Sequence, residues 1–260
     1  MNLDELLDAS YRSKYLDQDS EQWEKIRAGR FTSSELWKIM TFGYRPMTKP
    51  ELDARPKSGK GSATTRIIDS AKMGDKGIQY IHQKVAEVLT GQPKPSAYAY
   101  PLVYGKETEP EAVEFFEKIT GLATIETGFH PWGDHAGGSP DRLIGEDAGL
   151  EVKCPWQSEN QVDYMMLTDF YDLKNMYPDH YWQCVSLLLF TDRKRWHFCT
   201  FDPRMKSDLH KMTFIDIHAE KVKDDMDLIN TVIATAVKLK LELLNLLTKS
   251  IPELKAELNP

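Results

Sequence analysis

Two short runs of the sequence carry most of its chemistry. Gly137-Gly138-Ser139-Pro140-Asp141-Arg142-Leu143-Ile144 is followed shortly by Gly149-Leu150-Glu151-Val152-Lys153-Cys154-Pro155-Trp156. Asp141 is thus separated by nine residues from a Glu-x-Lys. In a strand, side chains alternate faces, so Glu151 and Lys153 point the same way and Val152 points into the core. Ser139-Pro140 favours a turn just ahead of Asp141. Two antiparallel strands would then set Asp141 beside Glu151, and two carboxylates and a lysine would share one small face. Paired carboxylates repel unless a cation sits between them. An all-oxygen donor set favours Mg²⁺ or Mn²⁺ over zinc. A metal held there can polarise a phosphodiester and help form hydroxide, while the lysine orients the attacking water. The backbone carbonyl of Val152 is a further available ligand. An isolated Glu-x-Lys is more often a surface cross-strand ion pair; the Ser-Pro-Asp upstream and Cys-Pro-Trp downstream weigh against that here.

The elements that must hold these residues are read from periodicity and punctuation. Helices are expected at 2–16 and 20–28, and a third at 35–40, capped by Thr32 or Ser33. The Pro-, Gly-, Lys- and Arg-rich stretch 43–63 has no apolar period and reads as a mobile surface loop. A longer helix is expected from about Arg66, ending at Gly91, and another from about Thr108 to Thr120, stopping at Gly121. Short β-type runs follow at 123–127, 141–144 and 150–154. Helical patterns return at 158–168 and 178–190, with strands at 195–201 and 212–217. The last forty or so residues, about 219–260, form one or two long helices. This order predicts an α/β chain, an α+β mixed sheet flanked by helices. It is read as a single domain over 1–260.

The chain has 260 residues with 33 Lys plus Arg against 40 Asp plus Glu, a net charge of −7. That balance argues at first against a nucleic-acid partner. The sum hides an uneven distribution. Residues 45–76 carry eight bases against four acids, and 193–211 carry six against two. These are the stretches expected to line any path for an anionic polymer. The acids are densest in residues 1–24, seven against two bases. No apolar run approaches a membrane span, and the N-terminus lacks a signal-peptide pattern. Three cysteines, Cys154, Cys184 and Cys199, fit reduced thiols rather than a disulfide framework or a metal site. A cytoplasmic location is expected.

The core pattern resembles the PD-(D/E)xK nuclease superfamily, and SPD…LEVKCPW closely resembles its lambda exonuclease family of phage alkaline exonucleases and viral recombinases. Four further segments carry the resemblance in the same order. Residues 23–35, from Trp23 through Arg27, Gly29, Thr32 and Ser34 to Glu35, are similar to the family's W-x-x-x-R-x-G-x-x-T-[AS]-S segment. Tyr104-Gly105-Lys106-Glu107-Thr108-Glu109 resembles its [WY]-G-K-x-x-E helix start. Tyr181-Trp182-Gln183 resembles its Gln-bearing helix. Phe201-Asp202-Pro203-Arg204-Met205-Lys206 resembles a D-P-R-M-K strand-to-turn segment.

The resemblance implies a restriction-endonuclease-like PD-(D/E)xK core and a role for each matching residue. Asp141 and Glu151, with the Val152 carbonyl, would bind a catalytic metal, and Glu109 would serve a second. Lys153 would position or activate the water, and Gln183 would hydrogen-bond that water or the lysine. Arg27, Ser34 and Ser139 would hold a 5′-terminal phosphate, which suits guanidinium and hydroxyl chemistry. Without the resemblance, Glu109 reads equally as a first-turn acid, Gln183 as a satisfied core polar group, Arg27 as an exposed helix charge and Ser34 as a cap. Where the family has an aromatic residue three before the Gln, this chain has His180, for which Tyr181 would substitute. The implied activity is Mg²⁺-dependent digestion of one DNA strand, 5′→3′ from a duplex end, with Mn²⁺ substituting and two ions per site. The implied setting is phage-type recombination, as a homotrimer with a single-strand-annealing partner. The alternatives are a PD-(D/E)xK endonuclease or nickase, and a non-catalytic DNA-binding scaffold.

Overall fold

Local signals set most element ends in the structure, a computed structural model that describes residues 18, 20–53, 66–94 and 99–248. Helix α1 (Glu21–Arg27) opens on Ser20, whose hydroxyl accepts the Trp23 N–H. Strand β1 (Phe31–Thr32) runs into a 3₁₀ helix (Ser33–Lys38). Then come β2 (Phe42–Pro46), α2 (Lys49–Asp53), β3 (Arg66–Met73) and α3 (Asp75–Thr90). Helix α4 (Tyr100–Thr120) has Pro101 in its first turn and ends at Gly121, in the left-handed conformation at φ 71°. Five short strands follow: β4 (Thr124–Ile125), β5 (His130–Trp132), β6 (Ala136–Gly138), β7 (Arg142–Ile144) and β8 (Ala148–Lys153). The chain continues through α5 (Ser158–Met165), α6 (Phe170–Met176), α7 (Pro178–Thr191) and β9 (Arg195–Phe201). It closes with α8 (Asp208–Lys211), β10 (Met212–His218) and α9 (Lys223–Leu247).

The main sheet has the order β10-β9-β8-β7-β4. Only β8–β9 is parallel; the other three pairs are antiparallel. Strand β8 is therefore central, covered on both sides. Its even-numbered residues Leu150 and Val152 pack with Ala112, Val113 and Phe116 of α4. Its odd-numbered residues face α7, whose Tyr181, Cys184, Val185, Leu187 and Leu188 are wholly buried against Trp196, Phe198 and the helices α3 and α9. A smaller sheet, β1-β6-β5, packs against Leu187 and Phe190 of α7 and joins the N-terminal segment to the Gly137-Gly138 run, with β1 and β6 parallel.

The expected α/β class, the helix ends at Gly91 and Gly121, and the strands β9 and β10 are all present. Several expectations change. Residues 43–53 are not loop: they contain most of β2 and α2, and β2 pairs with β3. The helix expected from Arg66 starts only at Asp75, because 66–73 is a β-rich run paired to β2. Helix α4 begins eight residues earlier than expected, so Glu109 sits mid-helix and is not a first-turn acid. The element at 35–40 is a 3₁₀ helix starting at Ser33, and β1, β5, β6 and α6 were not expected. Residues 2–16, 54–63 and the chain beyond 248 lie outside the described residues.

Gly149 has a packing reason to be glycine. A Cβ at this position would lie 2.4 Å from the ring carbons of Trp196, which has no solvent exposure. The indole therefore rests directly on the backbone of β8, two residues before Glu151. Overpacking of this kind costs about 1–3 kcal/mol. Gly149→Ala is expected to lower the urea midpoint accordingly; an unchanged midpoint would show that the indole has room to move.

Candidate active site

The antiparallel register of β7 and β8 pairs Arg142 with Leu150, so Asp141, the residue before β7, falls beside Glu151. The structure thus brings the predicted acids together. Asp141 Oδ2 accepts the Val152 N–H at 2.7 Å, which fixes the carboxylate across the strand end. Glu151 has no solvent exposure and meets Lys153 through its Oε1. The same oxygen accepts a hydrogen bond from Gln183 Nε2 at 2.6 Å. Gln183, buried on α7, therefore bonds the carboxylate directly rather than the lysine. Glu109 reaches the cluster from α4 and pairs with Arg142 at 3.2 Å. Arg142, to which no sequence motif assigns a role, also bridges to Glu126. Its position directly after Asp141 was the available signal.

The site is short of positive charge. Burial, then the Asp141 charge, pushes the Glu151 carboxyl up to about 8 in spite of Lys153. Burial also raises Asp141, against Lys153 and the Val152 amide. Burial and Asp141 bring Glu109 up to about 7 although Arg142 is beside it. Burial alone would lower the Lys153 ammonium, but Glu151 and Asp141 outweigh it and hold the lysine well above its usual range. A cation between Asp141 and Glu151 would relieve both. The donor set fits one: Glu151 Oε2 is buried without a hydrogen-bond partner, and Asp141 has committed only one oxygen. Among the described residues no three acid, His or Cys side chains close around a single point. Such a two-carboxylate arrangement suits Mg²⁺, which keeps several waters and takes one or two carboxylates. Cys154 offers no competing chemistry, since burial and the neighbouring acids push its thiol up to about 12.

A second constellation forms around Arg27. Its guanidinium lies 3.7 Å over the Trp23 ring, and Trp23 Nε1 donates to Ser139 Oγ at 2.8 Å. Gln18 donates to the Pro140 carbonyl at 2.9 Å. The N-terminal segment is thereby pinned to the turn that precedes Asp141, and Arg27 and Ser139 share one neighbour. Ser34 takes an exposed place at the start of the 3₁₀ helix. Its neighbour Ser33 is buried so tightly that a Cβ on Gly138 would fall 2.5 Å from its hydroxyl.

The backbone behind Arg27 is clamped from both sides. The Gly29 N–H donates to Glu87 Oε2 of α3 at 2.8 Å, and the Gly29 carbonyl accepts from Lys240 Nζ of α9, also at 2.8 Å. Lys84 completes the cluster by pairing with Glu87 at 3.0 Å. Lys84, Glu87 and Lys240 are all buried. None of these three was visible in the sequence, because their contacts join residues 58 and 211 positions apart. The basic stretch 193–211 is also more engaged than expected. Arg193 donates to three backbone carbonyls, and Lys194, Arg195, Arg204 and Lys211 all pair with acids.

This architecture is a PD-(D/E)xK fold, with Asp141 just ahead of β7 and Glu151 and Lys153 on the adjacent β8 of a mixed sheet. The model of the YqaJ-like viral recombinase domain matches residues 51–194, more than half of the chain, and the protein belongs to that family. The structure is similar to the alkaline exonuclease LHK-Exo from Laribacter hongkongensis, at 20% identity and a TM-score of 0.66, over 90% of this chain and 100% of that one. The complex of LHK-Exo with dAMP gives the same values. A phage related exonuclease from Haemophilus somnus 129PT matches at 14% identity and a TM-score of 0.62, over 84% of this chain and 96% of its own. No curated protein matches the sequence. Among the described residues no helix is long and apolar enough to cross a membrane.

His180 occupies the position where an aromatic residue was expected, and it behaves as one. Its ring stacks with Tyr177 and Phe198, and its Nε2 is 2.9 Å from the Tyr164 hydroxyl. Tyr181 does not substitute for it: that side chain is fully buried and donates to Asp225 at 2.5 Å, because successive residues of a helix point about 100° apart. Burial, with Lys153 nearby, pushes His180 down to about 4. A histidine with a depressed folded pKa binds its proton more readily when unfolded, so stability falls as pH drops below about 6.5 and keeps falling to about 4. The full loss is about 3 kcal/mol. His180→Gln, which keeps a partner for Tyr164, is expected to remove that part of the acid limb in denaturation measured between pH 7 and pH 4. Parallel acid limbs in the two proteins would refute the assignment.

Proposed function

We propose that the protein is a Mg²⁺-dependent exodeoxyribonuclease that binds a duplex DNA end and digests one strand 5′→3′, releasing 5′-phosphomononucleotides. The observation that carries this reading is the meeting of Asp141, Glu151, Lys153 and Gln183, with one buried Glu151 oxygen left without a partner. Membership of the viral recombinase family and the fold shared with exonucleases support it. Asp141, Glu151 and the Val152 carbonyl would hold one metal, and Glu109 would serve a second. When bound, Mg²⁺, or Mn²⁺ in its place, supplies charge to the phosphodiester and lowers the pKa of water. Lys153 donates toward the attacking water and the charge that develops on phosphorus oxygens. Gln183 holds the Glu151 carboxylate in register, so that its second oxygen stays turned to the site. Arg27 and Ser139 would take the terminal 5′-phosphate, with Ser34 from the 3₁₀ helix. The further parts of the reading are a homotrimer around DNA, a single-strand-annealing partner, phage-type recombination and a cytoplasmic setting.

Linear and covalently closed circular duplexes, each with Mg²⁺ and then with excess EDTA, separate this from an endonuclease and from an inactive scaffold. Loss of the linear form alone, in Mg²⁺ alone, is expected. Lys153→Ala is expected to reduce that rate by at least 100-fold; cutting of closed circles, or an active Lys153→Ala, would refute the reading. Arg27→Ala is expected to erase most of the preference for 5′-phosphorylated over 5′-hydroxyl ends, about tenfold or more for one charge-assisted contact. An unchanged ratio of the two rates would remove Arg27 from the phosphate site.

A further inference from the structure

We propose that Tyr100, Tyr104 and Trp156, braced by Arg204, form a stacking platform for a nucleobase of the strand being cut. This rests on the nuclease reading above and goes beyond it. Trp156 lies three residues past Lys153, within about 10 Å of chain. Tyr100 and Tyr104 lie one turn apart on α4, the helix that carries Glu109 about 7.5 Å further along its axis. The Trp156 ring meets both tyrosines edge-to-face, at 4.5 Å and 5.2 Å between centroids. The cluster is not closed: Tyr100 is 58% and Trp156 39% exposed.

Arg204 explains why the cluster stands firm. Its guanidinium donates to the carbonyls of Pro155 and Trp156 at 3.0 Å and 2.9 Å. It is held in turn by Asp202, an acid with no solvent exposure, at 2.7 Å. It also sits 5.1 Å from the Tyr104 ring and 5.8 Å from the Trp156 ring. The Asp-Pro-Arg segment at 202–204 therefore fixes the loop that leaves the catalytic strand, and adds a half-exposed positive charge to the aromatic surface. Exposed aromatics backed by an arginine beside a phosphodiester-cleaving site suit a base with its phosphate backbone. Stacking tolerates every base, which a nuclease that moves along its substrate requires.

The test measures kcat and KM for the wild type, Trp156→Ala, Trp156→Phe and Tyr100→Ala. The substrates are a 5′-phosphorylated linear duplex and the same duplex made abasic at each of the first four 5′ nucleotides in turn. Trp156→Ala is expected to raise KM on the order of tenfold with kcat changed less than twofold. Trp156→Phe is expected to recover most of that loss. The deficit of Trp156→Ala should disappear on one abasic substrate, where the partner base is already missing. Tyr100→Ala, on an exposed first turn, should show a smaller base-dependent rise and keeps the test valid if Trp156→Ala does not fold. If the wild type digests linear duplex but neither alanine variant shows a base-dependent change in KM, the platform is refuted and the nuclease reading stands. If the wild type digests no DNA, both fall together.

Discussion

A carboxylate with no access to water, placed in the central strand of the main sheet, constrains everything around it. Glu151 is ionised only if its surroundings supply the charge and hydrogen bonds that water would have given. Lys153 supplies one charge from the same face of the same strand, and Gln183 supplies a hydrogen bond from α7. That places a demand on α7. It must run close under β8, so its inward residues are mostly apolar; of its buried polar residues Gln183 touches Glu151, and Ser186 donates to the Gln183 carbonyl. Gly149 serves the same end by letting Trp196 lie flat against the strand. The alternation of β8 then divides its residues between two layers: apolar Leu150 and Val152 to α4, charged Glu151 and Lys153 to α7.

The net charge of −7 is compatible with this arrangement. Three of the acids contribute to a cluster that still lacks positive charge, so part of the deficit is local and answerable by metal. Many of the bases hold the protein together. Arg45 binds Glu51 through two nitrogens, and Arg195 and His197 both meet Asp216. Counting basic residues along the chain overstated what they can offer to a polyanion, because spacing along a sequence does not show which bases are paired.

The core of the site was legible because it is local. Asp141 lies just ahead of β7, and Glu151 and Lys153 lie on β8, joined to it by a tight turn, so alternation and antiparallel pairing suffice to assemble them. Trp23, Arg27 and Ser139 were legible as members of motifs, but their physical link through the indole was not, since it joins positions 116 apart. Residues 66–73 misled because a run containing Ile67, Ile68, Lys72 and Met73 satisfies a helical period while its pairing with β2 decides for strand. The strands β1, β5 and β6 are too short to show any alternation, and only their pairing defines them. Tyr181 was misplaced for a related reason: adjacency in sequence is not adjacency on a helix face.

The clamp on Gly29 ties this geometry to time. One of its jaws, Lys240, belongs to the last helix described, 211 residues after the glycine it holds. The ribosome makes a chain from its N-terminus, and a domain folds as a unit. Gly29, two residues past Arg27, is therefore made 211 residues before the lysine that braces it. A growing chain has Asp141, Glu151 and Lys153 well before that brace can close, and a chain stopped before Lys240 lacks it altogether. Synthesis as far as Lys240 thus becomes a checkpoint on the segment bearing Arg27, written into which helix supplies the lysine.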